Sequence, residues 1–146
     1  MRILTALILV YSAQSFGCPM LAGSYSCPQR DGSTKTTTIS QTEKDGVTIY
    51  DFKNFFLPAD NQAHPIADSD NLKSTTLRGW CDEDVTLKVE IIGKVYSSGK
   101  YVADVNAIQK ISHSAETLDE NISGTLSNQS GSQPFSQEIK CTEMTP

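Results

Sequence analysis

Positive charge is scarce in this chain, and nowhere concentrated. Its 146 residues carry 12 Lys and Arg against 17 Asp and Glu, a net charge of −5, with no basic cluster or aromatic-plus-basic stripe. That balance argues against nucleic acid and anionic membrane as partners. No Cys-x-x-Cys spacing occurs, and His64 and His113 stand apart, so no metal site of the zinc type is expected. G-x-S-x-G is also missing, which leaves no recognisable serine nucleophile. Beyond residue 17 no apolar run has the length of a membrane-spanning helix.

What is present starts with the leader MRILTALILVYSAQSFG. Arg2 supplies a positive start, and Ile3 to Tyr11 form an apolar run of about ten residues, the length of a signal-peptide core. Ala13, Ser15 and Gly17 offer small residues for cleavage. The expected organisation is a signal peptide over 1–17 and a single domain over 18–146, enough chain for one core. The expected location is the periplasm or the exterior. The alternative is a lipid anchor on Cys18, although Ser15 and Phe16 depart from the pattern that precedes a lipidated cysteine.

Four cysteines, Cys18, Cys27, Cys81 and Cys141, follow the leader. An even number in a small exported chain reads as a disulfide framework. Between them, turn signals recur at short intervals and separate runs rich in Thr, Val, Ile and Tyr, the all-β pattern. Strands are expected over 22–28, 34–42, 47–52, 72–81, 85–96, 100–112 and 117–126, with a last one carrying Phe135, Gln137, Ile139 and Cys141. Val85, Leu87, Val89 and Ile91 share one face, as do Tyr101, Ala103, Val105 and Ala107, and likewise Leu118, Ile122, Gly124 and Leu126. A short helix over 113–121 is the weaker reading of that segment. Short connections make neighbours antiparallel, so the expected fold is all-β, an eight-stranded antiparallel meander barrel. A β-sandwich is the alternative.

The first strand restricts the disulfides. Extended, Leu21 to Cys27 covers about 20 Å, and the three residues before it reach back about 11 Å at most. Cys18 therefore cannot come within the roughly 7 Å that a bond to Cys27 requires. Two connectivities survive. A closed meander brings the chain ends together, which favours Cys18–Cys141 with Cys27–Cys81. Cys18–Cys81 with Cys27–Cys141 stays open.

Leu21-Ala22-Gly23-Ser24-Tyr25 resembles the opening of lipocalin and calycin-like barrels, with Tyr25 where those proteins usually carry Trp. The resemblance implies an aromatic plug at the closed end, and binding of a ligand or protein rather than catalysis. The cysteine-framed opening from Cys18 to Cys27 is also similar to small exported bacterial β proteins of unknown function. That likeness implies a compartment and a fold but no activity.

Other residue groups are weak carriers of chemistry. Asp68-Ser69-Asp70-Asn71 begins like a calcium loop but lacks its glycine and its terminal glutamate. Asp82-Glu83-Asp84 is a solvated acidic turn. Asn121 and Asn128 fit the N-glycosylation pattern, which matters only in a eukaryotic secretory pathway. The long segment 53–71, bearing Phe55, Phe56 and Leu57, either caps a barrel mouth or extends the third strand into the core.

The functional expectation is a non-catalytic exported domain, a monomer without cofactor, that binds a small apolar ligand or a protein. Tyr25, Phe55, Phe56, Trp80, Tyr101 and Phe135 are the candidate lining residues. A structural or inhibitory module with a filled core is the second expectation, and a small hydrolase built on scattered carboxylates the last.

Overall fold

A computed structural model describes residues 17–83 and 85–145. The expected leader lies outside the described residues, apart from Gly17. The described chain forms ten strands: β1 (Gly23–Pro28), β2 (Thr34–Lys44), β3 (Val47–Asp51), β4 (Phe56–Pro58), β5 (Ala63–Pro65), β6 (Leu72–Asp82), β7 (Thr86–Ser97), β8 (Lys100–Ser114), β9 (Thr117–Asn128) and β10 (Gly131–Glu143). Eight of them are the expected strands. β4 and β5, three residues each, arise within the segment read as a loop, so the count of eight is corrected to ten.

Turn chemistry delimits the strands as the sequence suggests. Asp45-Gly46 and Ser98-Gly99 both adopt positive φ at their two positions, 53° with 79° and 50° with 75°. This is the left-handed pair that a tight hairpin demands and that Gly supplies without strain. Ala115, at φ 54°, turns the chain between β8 and β9. No helix forms over 113–121, because Ser112, His113 and Ser114 pair with Asp119, Leu118 and Thr117.

All ladders are antiparallel, in the spatial order β4-β3-β2-β1-β10-β9-β8-β7-β6-β5. The first and last strands pair, so the meander curls into a nearly closed barrel. Among the described residues, β4 and β5 are the consecutive strands that do not pair. There the wall is completed by packing. Gly79 of β6 makes room for β4: a Cβ at Gly79 would lie 3.0 Å from the Pro58 carbonyl oxygen and 3.1 Å from Leu57 Cγ. The Asn61 amide also donates to the Gly79 carbonyl at 2.8 Å.

One end of the barrel is plugged by the segment before β1. Leu21, Tyr25 and Tyr50 are fully buried there. The Tyr50 hydroxyl donates to the Pro19 carbonyl at 2.8 Å and the Tyr25 hydroxyl to the Leu21 carbonyl at 3.0 Å. The Leu21 amide donates to Gln41 Oε1 at 2.9 Å. Both buried tyrosine hydroxyls of the plug and the Leu21 amide thus find partners, as burial requires. Burial also holds the Tyr50 hydroxyl well above the usual tyrosine range.

The disulfides are Cys18–Cys81 and Cys27–Cys141, which overturns the favoured pairing. The reason is register. Tyr25 faces Glu143 and Ser26 faces Thr142, which sets Cys27 opposite Cys141 with Cα atoms 4.2 Å apart. In that register Cys141 is taken by Cys27 and is not open to Cys18. The segment before β1 leaves the seam instead, crosses the barrel end and meets Cys81, Cα to Cα 5.2 Å. The Cys18 sulfur, which the lipid-anchor alternative would need, is bonded to Cys81 in this structure. Two intramolecular disulfides point to an oxidising, exported environment. No helix of the described residues is long and apolar enough to cross a membrane.

Two outcomes follow. Non-reducing peptide mapping is expected to recover the 18–81 and 27–141 pairs, and the double variant Cys27→Ser/Cys141→Ser to lose about 2–5 kcal/mol in denaturant unfolding. Gly79→Val should drive its side chain into the Pro58 carbonyl and lower the melting temperature by several degrees, whereas Gly99→Asn, at a turn with open space around it, should change it little.

Candidate functional site

Inside the barrel, beside the break between β4 and β5, lies a cavity of about 540 Å³. That is within the range of small-molecule sites, roughly 300–1,000 Å³. Its walls come from strand alternation. Leu77 of β6, Val89 and Ile91 of β7 and Ile111 of β8 turn inward, and Phe55 and Ile66 approach from the segment around β4 and β5. The lip is locally built: the Lys53 amide donates to Asp51 Oδ1 at 2.7 Å, with Lys53 at φ 68°. This turn brings Phe52 and Phe55 into a stack with centroids 5.0 Å apart. Lys35 of β2 and Lys53 are the exposed cationic residues on the cavity's border.

Beside Ile111 on this wall sits a polar pair. Glu120 of β9 lies on the same inward face as Leu118 and Ile122, and Gln109 of β8 on the same face as Ala107 and Ile111. Both line the cavity. Gln109 Nε2 donates to Glu120 Oε2 at 2.9 Å. A Glu120 carboxylate oxygen and the sulfurs of Cys27 and Cys141 all lie within 4.8 Å of one another. These sulfurs are bonded to each other, so they offer no thiolate to a metal ion. Burial raises the Glu120 carboxyl above its ordinary value, and the hydrogen bond from Gln109 opposes that only in part.

The residues proposed from sequence are spread over three places. Phe55 lines the cavity. Tyr25 is fully buried in the plugged end, edge-on to His113 at 5.9 Å between centroids, and does not border the cavity. Phe135 is half-buried on β10, away from the lining. Phe56, at 68% exposure, is on the outside, as is Tyr101 at 45%. Tyr101 packs there against Tyr96 and the Lys94 ammonium. Trp80 also faces outward, under the Arg78 guanidinium, because Leu77, Gly79 and Cys81 take the inward positions of β6.

Both histidines have carboxylate partners, a pattern worth weighing for catalysis. His64 Nε2 lies 2.9 Å from Asp60 Oδ2, and His113 Nε2 lies 3.3 Å from Glu143 Oε2. Neither pair borders the cavity. Partial burial pushes the Asp60 carboxyl up, but hydrogen bonds from His64 and the Gln62 amide outweigh it and hold it below its usual range. Asp82 of the acidic turn is paired with Lys88, 2.6 Å away, while Asp84 lies outside the described residues.

Glu120 and Gln109 went unrecognised in the sequence, although the signal was there. A carboxylate at the even positions of β9, between Leu118 and Ile122, stands on an otherwise apolar face. The same holds for Gln109 between Ala107 and Ile111. No family model matches the chain, and neither a curated protein nor a solved structure matches it.

The raised Glu120 carboxyl has a thermodynamic consequence. The folded state binds its proton more tightly than the unfolded chain, so this stabilisation is complete below the ordinary carboxylate range. It is lost as pH rises through the raised value. Melting temperatures of wild type and Glu120→Gln, followed from about pH 4 to pH 8, should therefore diverge in favour of the variant as pH rises. Parallel profiles would contradict the assignment.

Proposed function

We propose that this protein is an exported, non-catalytic binding domain whose lipocalin-like barrel holds a small, largely apolar ligand. The observation that carries this reading is the interior cavity of about 540 Å³. Barrels of this size need not be hollow, since side chains can fill them. Here Leu77, Val89 and Ile111, with Ile91 packed against them, form an apolar wall beside space that side chains do not fill. Apolar ligands bind such sites because both partners leave water, at about 25 cal/mol per Å² of apolar surface buried.

Two other readings receive less support. A structural or inhibitory module with a filled core does not account for the cavity. A hydrolase needs a nucleophile or an acid–base pair where a substrate can sit. The His64–Asp60 and His113–Glu143 pairs lie away from the cavity, and Glu120 has Gln109 beside it, not a second carboxylate. A smaller hollow of about 340 Å³ beside Ile92, Lys94 and Asp104 is shallow and open. The leader expected over 1–17 supports export, and the acidic balance supports a partner other than nucleic acid.

An environment-sensitive apolar dye tests the reading. The wild-type protein should enhance its fluorescence saturably. Ile91→Trp, which fills the cavity from its wall, should weaken binding at least tenfold, about 1.4 kcal/mol, while keeping the far-ultraviolet β signature. Equal binding by the filled variant would refute a ligand site in the barrel.

A further inference from the structure

The geometry points to an apolar primary amine as the ligand class of the barrel, its ammonium paired with the Glu120 carboxylate at the cavity floor. This rests on the reading of the barrel as a ligand site and specifies its chemistry.

A carboxyl inside a protein is costly unless it is protonated or faces a cation. Glu120 is mostly buried, yet no Lys, Arg or His nitrogen of the described residues pairs with it. Its one side-chain partner is the uncharged Gln109. Its register partners are uncharged, Ile111 on β8 and Ile139 on β10; the cation on a neighbouring element is Lys35 of β2, the register partner of Cys27. Cys27 on β1 and Cys141 on β10 are locked in a disulfide that does not titrate.

The other charged side chains on the cavity, Lys35 and Lys53, are exposed at its border. Water and salt screen them over roughly 8 Å. Their ammonium groups are left to solvent, whereas the Glu120 carboxyl is mostly desolvated.

The desolvated charge of the cavity is thus the Glu120 carboxyl, with Lys35 and Lys53 exposed at the border. Gln109 strengthens the match: with one N–H committed to Glu120, its side-chain oxygen remains an acceptor for a donor-rich group. An alkylammonium supplies three N–H donors and a positive charge on an apolar stem, so the stem takes the place of water along Leu77, Val89 and Ile111. When Glu120 is protonated, pairing releases that proton to solvent and leaves a carboxylate facing an ammonium. No covalent bond changes.

n-Octylamine, 1-octanol and octanoate, compared by titration calorimetry on the disulfide-bonded protein, separate the outcomes. The amine is expected to bind at least tenfold more tightly than the alcohol, and Glu120→Gln to abolish that preference while still binding the alcohol. A wild-type measurement stands independently of the variant's folding. Below the pKa of Glu120, amine binding should release a proton, seen as a dependence of the heat on the buffer's ionisation enthalpy, and the alcohol should release none. Equal affinity of amine and alcohol, or preference for octanoate, would overturn the amine assignment and leave the barrel a ligand site. If none of the three binds and the apolar dye also fails, the binding function itself falls, and the amine assignment with it.

Discussion

The seam between the first and last strands governs the rest of this molecule. β1 and β10 share a short ladder, Tyr25 with Glu143 and Ser26 with Thr142, while β9 and β10 pair along nearly their whole length. A ladder that short does not hold two chain ends together against their conformational entropy. The Cys27–Cys141 bond, one register step further, spans 114 residues of sequence and removes most of that entropy from the unfolded chain. With the seam closed, the sheet curls round on itself and the barrel has an inside.

The second disulfide and the hydroxyls of Tyr25 and Tyr50 act at the plugged end, where they fix the segment before β1 across the opening. The wall next to it is finished differently. β4 and β5 are too short to form a continuous ladder, and the barrel is completed by packing against Gly79. The cavity lies between the Cys27–Cys141 seam, where Glu120 sits, and the break with its Phe52–Phe55 lip. The carboxyl of Glu120 sits against the closed seam, so the apolar space runs from the break to a polar floor.

Most of the fold could be read along the chain because strand alternation and turn residues act locally. Val89 and Leu87 face inward as their spacing requires, and Asp45-Gly46 turns where a Gly is needed. β4 and β5 could not be read, since three residues hold no period and their pairing comes from neighbours distant in sequence. The site was less legible. Aromatic size drew attention to Trp80 and Tyr101: the alternation of β6 puts Trp80 outside, whereas Tyr101 shares its face with Ala103 but stands at the start of β8, where it stays exposed. Glu120 and Gln109 had an alternation signal, but what it meant depended on knowing that their faces border empty space and not packed side chains.

The sequence by itself determined the strand class, the hairpin turns, the exclusion of a Cys18–Cys27 bond, and the apolar faces that line the interior. Those follow from side-chain period and chain reach, which act over a few residues. Only the tertiary structure decided which cysteines meet, where the wall is broken and which carboxyl lies at the floor. Register between the first and last strands depends on where the whole meander returns. A shift of one residue there would have changed every partner across the seam.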